Sequence, residues 1–358
     1  MTHKDTFFFV SKCLTIIHNK KNRDLIEKKL ILGKIKWEDV LKLSTDHYVI
    51  CSLYYNLKNT KLLKYVPKKL SLYMNYLAKL NKNRNYRIKE ELNELNTLLL
   101  SNKVKPIFIK GTANLIRNLY SENGERMIGD IDFLVSAKDF ENSIRILTRN
   151  GYFKVNSIEP PPGHRHYPRL IKRNRIAAIE IHRDLVTEKY RNEFNFGLVK
   201  NDLTKINEFF LLSYENQFIT TLVSKHINDD GFFYKKISLR NAYDVYLLSK
   251  KINIQQSLFK LNKLIYPLTC LVSICGHIFG DIRSINHIKN DNTEKYLKSF
   301  NRLLVDYKKR RLIYLKIKYQ LLINKLLTNL IKLIKDKRYR KWKIKKEIKK
   351  LLPLNFFK

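Results

Sequence analysis

Apolar residues in the first hundred positions recur every three to four residues, which is the spacing of one face of a helix. The pattern is clear in 40–57 and 70–80, and it continues through 81–101 as a long amphipathic stretch. Pro67 stands near the start of the second run, where a helix tolerates proline. Residues 1–100 are therefore predicted to form an N-terminal helical domain.

After residue 101 the pattern changes to short apolar runs separated by turns and brief helical segments. The predicted strands are 104–109, 127–135, 152–158, 167–172 and 176–182. Helices are predicted at 112–120 and 139–150, and residues 173–175 form a turn between the last two strands. Strands that alternate with helices and end in a hairpin-like pair indicate a mixed-sheet α/β core, which we place at 101–205.

Helical periodicity returns at residue 206. The predicted helices are 208–226, 239–250, 254–264 and 268–279. They make a further helical domain at 206–300, and 301–358 is predicted to be a basic amphipathic helical tail. The fold class is accordingly α+β, with a small mixed β-sheet core flanked by N- and C-terminal helical domains.

The chain is strongly basic, with 71 Lys and Arg against 32 Asp and Glu and a formal net charge of +39. A field of this size attracts polyanions such as nucleic acids, nucleotides or an anionic membrane. Because the excess comes with abundant Asn and Ile, part of it reflects a biased composition, and charge alone gives nucleic-acid binding modest weight. A hydrophobic content of 44% excludes a wholly disordered chain.

The basic tail at 301–358 has three interpretations. Its apolar side can pack on the core while its lysines face water, or the lysines can contact the phosphates of tRNA or another nucleic acid. In the third interpretation the tail lies on an anionic membrane with its leucines in the headgroup layer. Composition does not separate the three.

Cysteines, glycines and the longest apolar window argue against several classes of protein. The four cysteines form no CxxC pair, which fits a reduced intracellular compartment and disfavours zinc. No signal peptide is evident, and the window 264–279 is interrupted by Pro267 and shorter than a membrane span. We expect a cytoplasmic protein and leave peripheral membrane contact open. No Walker or Rossmann glycine motif is present.

The segment 110–135 carries the most informative pattern for chemistry. Successive side chains of a strand point to opposite faces, so Asp130 and Asp132 share one face while Ile131 and Phe133 enter the core. A cation stabilises two neighbouring carboxylates, and Mg²⁺, with Mn²⁺ as its substitute, prefers such oxygen ligands. The alternative is that both aspartates are simply exposed on a half-buried strand.

Two further features favour catalysis. Lys110, Gly111 and Thr112 lie at a strand-to-helix junction, where the first helical turn offers N–H groups and a hydroxyl to a phosphate. A plain helix N-terminus capped by Thr112 is the alternative. Glu180 lies on a later strand with His182 on the same face. If that strand adjoins the strand of the aspartates, Glu180 is a third carboxylate at one site, as two-metal phosphoryl transfer requires.

In order, the chain carries Lys-Gly at 110–111, then Arg126, Gly-Asp-Ile-Asp-x-Leu-Val at 129–135, and Glu-x-His at 180–182. This order resembles the nucleotidyltransferase superfamily, and most closely the uncharacterised bacterial nucleotidyltransferase family 5 group, over roughly residues 30–250. The resemblance implies an NTP substrate, Mg²⁺, and a helical segment after the core that completes the cleft.

The resemblance also assigns residues. Asp130, Asp132 and Glu180 would be the catalytic residues and metal ligands, while Gly111 and Thr112 would bind the β,γ-phosphates with help from Lys110 or Arg126. Three departures stand out: Thr replaces the usual Ser, a loop is inserted at 121–125, and the third acid is Glu rather than Asp.

Weaker candidates are assigned to the acceptor pocket or to support of the site. They are His164, His166, His182, Lys225, His226 and Asp244. A single histidine is more often structural than chemical, and we expect Asp244 to cap a helix or to pair with Arg240, with a role in the site left open.

The predicted function is Mg²⁺-dependent transfer of a nucleoside monophosphate from an NTP to a hydroxyl or phosphate acceptor, with release of pyrophosphate. The acceptor is open among a small molecule, a sugar phosphate, a protein and a tRNA. The alternative is a catalytically weak relative that binds RNA or a partner protein through its basic surface. Clustered carboxylates argue against the alternative, since a polyanion binder gains nothing from them.

Overall fold

The structure is a computed structural model that describes residues 1–155, 160–280 and 290–351. The helices before the sheet are α1 (His3–Cys13), α2 (Lys20–Ile31), α3 (Trp37–Asp46), α4 (Ile50–Asn59) and α5 (Lys68–Ser101). The helices between strands are α6 (Lys110–Ile116), α7 (Ala137–Arg149) and α8 (Phe196–Val199). Those after the sheet are α9 (Tyr214–His226), α10 (Gly231–Tyr234), α11 (Leu239–Ser249), α12 (Ile254–Phe259), α13 (Ile265–Phe279), α14 (Asp291–Val305), α15 (Tyr307–Lys335) and α16 (Lys337–Leu351). Among the described residues, no helix combines the length and apolar character needed to cross a membrane.

One mixed sheet lies at the centre. Its strands are β1 (Ile107–Phe108), β2 (Asp130–Leu134), β3 (Phe153–Lys154), β4 (Leu170–Ile171), β5 (Ala178–His182), β6 (Leu203–Ile206) and β7 (Phe209–Leu212). The strand order is β3-β4-β5-β2-β1-β7-β6. β2 is parallel to β5 and antiparallel to β1, while β4 is antiparallel to β5, as the predicted turn at 173–175 requires. The α+β fold class is confirmed.

Buried side chains form two hydrophobic clusters. The first contains Phe9 of α1 together with Tyr243 of α11 and Phe279 of α13, so the segments 1–100 and 206–300 share one core. The second lies around the sheet, α7 and the C-terminal half of α5. The domain boundaries drawn from the sequence stay a prediction.

The long helix α5 belongs to both clusters. It begins directly after Pro67 and ends at Ser101, as its periodicity predicts. Its first half contributes Met74 to the first cluster, and its second half contributes Leu92 to the second.

The helix predicted at 208–226 is wrong over its first six residues. Residues 209–212 form β7, which pairs with β6 in an antiparallel hairpin, and α9 begins only at Tyr214. The run Phe-Phe-Leu-Leu is apolar on both sides, and such a short run fits a buried strand as well as a helical turn. The side chain of Ser213 accepts a hydrogen bond from the backbone N–H of Asn216 and so caps α9.

The other predicted strands are shorter in the structure. β1 and β2 occupy only part of the predicted segments 104–109 and 127–135. β3 covers two residues of the strand predicted at 152–158, and residues 156–158 lie outside the described residues, as does Glu159 of the proline-rich loop.

Candidate active site

The parallel register of β2 and β5 places the predicted acids side by side. Asp132 is paired with Glu180, and Leu134 with His182. Ile131, which lies between Asp130 and Asp132 in the chain, is buried on the opposite face of the sheet, as alternation along a strand requires. From the sequence, Glu180 could join the site only if its strand lay beside the strand of the aspartates. The pairing of β2 with β5 meets that condition.

Four charged or polar side chains converge where the two strands meet. His182 Nε2 lies 2.9 Å from Asp132 Oδ1 and 3.5 Å from Glu180 Oε2. The Lys110 ammonium lies 2.6 Å from Asp132 Oδ1 and 3.6 Å from Glu180 Oε2. Lys110 therefore supplies the positive charge that two converging carboxylates need.

The backbone of Lys110 adopts an uncommon conformation. Its φ of 54° lies in the left-handed region, which costs a residue with a side chain about 1 kcal/mol. Its carbonyl oxygen accepts a hydrogen bond of 2.8 Å from Gln217 Nε2 on α9. The contact with α9 thus holds Lys110 in a strained geometry that aims its ammonium at the carboxylates.

Asp132, Glu180 and His182 also form a donor set that fits a divalent metal ion. One ligand atom of each lies within 4.8 Å of the others, and all three residues are buried. Carboxylate oxygens suit Mg²⁺, and the added imidazole nitrogen is acceptable to Mn²⁺. The ammonium of Lys110 shows that a cation is stable at this position.

Asp130 lies outside this set of three. Its Oδ2 is 2.8 Å from Arg169 Nη2, and Arg169 Nε is 2.9 Å from Glu180 Oε1. Arg169 therefore joins the first aspartate to the third acid, and its side chain is 55% exposed at the edge of the site.

Burial and charge oppose one another at the carboxylates. Burial raises the pKa of Asp132 and Glu180, but Lys110 and the hydrogen bond with His182 outweigh burial, so both pKa values lie below their usual range. Burial raises the pKa of Asp130 above its ordinary value in spite of Arg169. The carboxylates of Asp132 and Glu180 are therefore anionic at neutral pH.

Arg126 is anchored by Asp244 of α11 rather than exposed on a loop. Arg126 Nη2 lies 2.6 Å from Asp244 Oδ2, and Asp244 Oδ1 also accepts hydrogen bonds from the Tyr120 hydroxyl and from Asn114 Nδ2. The expected pairing of Asp244 with Arg240 is wrong, because α6 and the loop after it bring Arg126 onto the carboxylate first. Arg240 donates instead to the carbonyl oxygen of Met127, at 2.9 Å.

The loop that carries Arg126 is fastened to α5. Asn81 Nδ2 donates to the carbonyl oxygens of Gly124 and Arg126, and Asn85 Nδ2 donates to those of Asn123 and Arg126. Gly124 permits this approach, since a Cβ there would lie 2.8 Å from the α5 backbone. The insertion predicted at 121–125 is thus a fixed part of the site.

Gly111 and Thr112 lie at the start of α6, next to Arg126 and β2. A Cβ on Gly111 would lie 2.2 Å from Arg126 Nη1, so the guanidinium packs against the glycine. The Thr112 hydroxyl is buried, accepts a hydrogen bond from the Asp132 backbone N–H at 3.0 Å and lies 3.4 Å from the Asp130 carbonyl oxygen. Its hydroxyl is therefore used to join α6 to β2, close to the metal donor set.

The carboxylates of Asp130, Asp132 and Glu180 line a polar cavity of about 250 Å³, whereas the buried His182 and Thr112 are not among its lining residues. The basic side chains in its walls are Lys110, Arg126, Arg165, Arg169, Lys225 and Arg240. Most are paired with acids, for example Lys225 with Asp229 at 2.6 Å. Among the described residues, Arg240 has no carboxylate oxygen within 4 Å, and burial lowers its pKa. Such a cation is suited to an anionic ligand.

A model of the family described as "Uncharacterised nucleotidyltransferase" matches residues 33–265. The chain belongs to this family. The match includes the sheet, the carboxylates and the helices α9 and α11, all of which contribute side chains to the cavity. Nucleotidyl transfer with an NTP substrate is thereby supported as the general activity.

The nucleotidyltransferase is also similar to a solved protein, described as the crystal structure of JHP933 from Helicobacter pylori. The two chains are 14% identical, and the match covers 67% of this chain and 96% of that one with a TM-score of 0.29. A TM-score this low does not establish that the two proteins share a fold. The comparison with curated proteins gave no match.

The remaining predicted residues of this nucleotidyltransferase divide into two groups. His166 and Lys225 line the cavity, and burial together with the neighbouring His182 lowers the pKa of His166 to about 4. His164 stacks edge-on behind His166, with ring centroids 4.7 Å apart. His226 is buried in the first hydrophobic cluster against Phe232, and it does not line the cavity.

Sequence reasoning missed several residues that shape the site. Arg169 follows a proline-rich loop on a short strand, and its contact with two acids depends on the pairing of β4 and β5. Asn81 and Asn85 are four residues apart, and this spacing in the sequence places both side chains on one face of the predicted helix. Nothing in the sequence indicates that their partner is a loop forty residues later.

Proposed function

We propose that this nucleotidyltransferase moves a nucleoside monophosphate from an NTP to a hydroxyl or phosphate group of an acceptor and releases pyrophosphate. The observation that carries the proposal is one cavity lined by Asp132 and Glu180 beside the basic side chains of Arg126 and Arg240, with the buried His182 completing a candidate metal donor set. Phosphoryl transfer needs both kinds of group, because catalysis rests on positioning and on neutralising phosphate charge.

Asp132, Glu180 and His182 would hold a Mg²⁺ or Mn²⁺ ion, and Asp130 would join them once Arg169 is displaced. When bound, the ion supplies positive charge to the α-phosphate and the leaving pyrophosphate. Lys110 occupies the same oxygens in the structure, so its ammonium competes with the ion. We assign Lys110 a second position on a phosphate oxygen in the loaded site.

Arg126 and Arg240 are assigned to the β,γ-phosphates, with Lys225 beside them. Arg126 is fixed by Asp244 and packs on Gly111, and its side chain lines the cavity. Arg240 lacks an acidic partner among the described residues, and a phosphate oxygen would supply one. Gly111 and Thr112 then act by positioning: the glycine makes room for Arg126, and the threonine holds β2 in place.

In the reaction, an acceptor oxygen forms a bond to the α-phosphorus while the bond to the pyrophosphate oxygen breaks. The proton of a hydroxyl acceptor passes to solvent water, and the negative charge of the departing pyrophosphate is met by Arg126, Arg240 and Lys225. His166 lines the same cavity, and we assign it to the acceptor side. The low pKa of His166 keeps its ring neutral at pH 7, so it can accept a hydrogen bond from a hydroxyl.

The test is label transfer. The protein is incubated with each α-labelled NTP, Mg²⁺ and a cell extract, and the labelled product is fractionated by size to separate small-molecule, sugar-phosphate, protein and tRNA acceptors. Asp132→Asn should abolish transfer, whereas the exposed Glu208→Gln should leave it unchanged. Transfer that persists in a folded Asp132→Asn protein would remove the assignment.

One observation favours the alternative of a weak relative that acts by binding. Asp130, Asp132 and Glu180 are each within 4 Å of a basic side chain in the structure, an arrangement that is stable without metal. Titration calorimetry separates the two functions. The enzyme should bind NTP only with Mg²⁺, whereas the binding protein should bind RNA in a salt-sensitive manner and ignore the metal.

A further inference from the structure

Within the part of the chain that the structure describes, the helix α15 has a long apolar face that no other element covers. Ten of its Leu, Ile and Tyr side chains, between Leu312 and Ile334, are more than 40% exposed. With about 3.6 residues per turn they fall on one side of the helix, along about 33 Å of its length. A contiguous apolar face of this size marks an interaction surface.

The opposite side of α15 is attached to the rest of the protein. The ring of Tyr314 packs edge-on against Tyr234 of α10, with centroids 5.3 Å apart, and Lys332 forms an ion pair with Glu188. These contacts lie in the first and the last third of the helix. The outward direction of the apolar face is therefore set by packing at both ends.

Charge decides what this face can meet. Residues 307–351, which form α15 and α16, contain 18 Lys and Arg against two acidic residues, a formal charge of +16. A second copy of the chain is disfavoured, because its equal charge would be repelled. A nucleic acid would neutralise the lysines but leave the leucines in water. A membrane with anionic lipids satisfies both, since acyl chains receive the apolar face and lipid phosphates receive the cations.

A cavity beside the N-terminal half of α15 has the same chemistry. Its volume is about 550 Å³, and it is lined by apolar residues that include Phe7, Phe300 and Leu303 and by basic residues that include Lys236, Arg311 and Lys318. Apolar and cationic groups in one cavity fit an acyl chain that is joined to a phosphate. The combination of apolar and basic side chains thus continues from the face of α15 into this cavity.

We propose that α15 lies in the headgroup layer of a membrane that contains anionic phospholipid. Its apolar face is directed into the acyl boundary, and its flanking lysines contact lipid phosphates. The nucleotidyltransferase cavity would then work at a membrane surface.

The experiment is sedimentation of the full chain with vesicles of phosphatidylcholine alone, or with about a third phosphatidylglycerol. We expect binding only to the anionic vesicles, and weaker binding as salt increases. Leu326→Ser combined with Leu330→Ser should weaken binding at least about tenfold. Leu72→Ser combined with Leu80→Ser, which removes two exposed leucines from α5, should leave it unchanged.

Three results would overturn the proposal, provided that circular dichroism shows the α15 variant to be folded. One is vesicle binding that does not respond to the α15 substitutions. The second is a dimer in light scattering that the α15 variant dissolves, with no vesicle binding. The third is binding to an RNA homopolymer alone, unaffected by the two serines. The second result would make the face a dimer interface, and the third would make it a nucleic-acid surface.

Discussion

The guanidinium of Arg126 forms a bidentate ion pair with the carboxylate of Asp244, although 118 residues separate them in the chain. Nε lies 2.8 Å from Oδ1 and Nη2 lies 2.6 Å from Oδ2. The pair joins the loop held by α5 to the helix α11, and both side chains are almost fully buried. This ion pair is therefore one of the contacts that fix the cavity by linking the sheet region to the helices after it.

Asp244→Ala is expected to destabilise the protein by about 3–5 kcal/mol, because it leaves a buried guanidinium without its counter-charge. The free energy of unfolding from denaturant titration measures this loss. Asp229→Ala is the matched control, since Asp229 also pairs with a cavity cation, Lys225, but both side chains are more than 40% exposed. The control should cost less than about 1 kcal/mol. Equal losses of unfolding free energy in the two variants would show that the buried pair of Arg126 with Asp244 contributes no more to stability than the exposed pair of Lys225 with Asp229.

Lys110→Met is expected to tighten the binding of Mg²⁺ or Mn²⁺ about tenfold in the absence of nucleotide, because the competing ammonium is gone. The same variant should transfer label more slowly, since it lacks a cation for the phosphates. Calorimetry with the metal alone measures the first effect. Lys225→Met removes a cavity cation that touches none of the three donors, and its metal affinity should not change. Weaker metal binding by Lys110→Met would show that the ion does not use these oxygens.

Arg240→Met is expected to weaken the binding of an NTP about tenfold and that of the nucleoside monophosphate much less, because Arg240 is assigned to the outer phosphates. Fluorescence competition with the two nucleotides measures the difference. The exposed Arg87→Met controls for the loss of one positive charge. Equal weakening for both nucleotides would place Arg240 elsewhere.

Glu125 gives the stability of the fold a pH dependence. It is buried and accepts hydrogen bonds from Ser121, Asn56 and Tyr243, and burial raises its pKa to about 7. Between its ordinary pKa and pH 7 the folded state holds a proton that the unfolded state has lost. The stability that this proton contributes therefore falls as pH rises through 7, by up to about 3 kcal/mol.

Glu125→Gln should remove this slope. The check is the difference between the unfolding free energies of the wild-type protein and the variant, measured from pH 5 to pH 8. Glu122→Gln replaces a partly exposed acid of the same loop, and its difference from the wild type should stay flat. A flat difference for Glu125→Gln as well would mean that Glu125 titrates in its usual range.

The parts of the fold that follow from local pattern were predictable. Alternation placed Ile131 in the core and the two aspartates opposite it, and periodicity with Pro67 set the limits of α5. The β6–β7 hairpin was not predictable, because Phe-Phe-Leu-Leu at 209–212 has no alternation to distinguish strand from helix. Strand register also had to be observed, since only the pairing of β2 with β5 brings His182 to Asp132.

The cavity needed contacts over long stretches of chain. Arg126 meets Asp244 from 118 residues away, and its loop is held by asparagines about forty residues earlier. Residue types indicated carboxylate chemistry, but no spacing rule indicated that the Lys110 ammonium would contact Asp132 and Glu180. It does so through a left-handed backbone that Gln217 stabilises, and such strain is invisible in a sequence.

The helix α5 is embedded at both ends, with Met74 in one hydrophobic cluster and Leu92 in the other. A continuous rod of 34 residues has no hinge between the two halves of the protein. A movement that brought the two halves closer together would have to bend α5. We therefore expect nucleotide entry to depend on side-chain movement at the rim of the cavity, where Arg169 is 55% exposed.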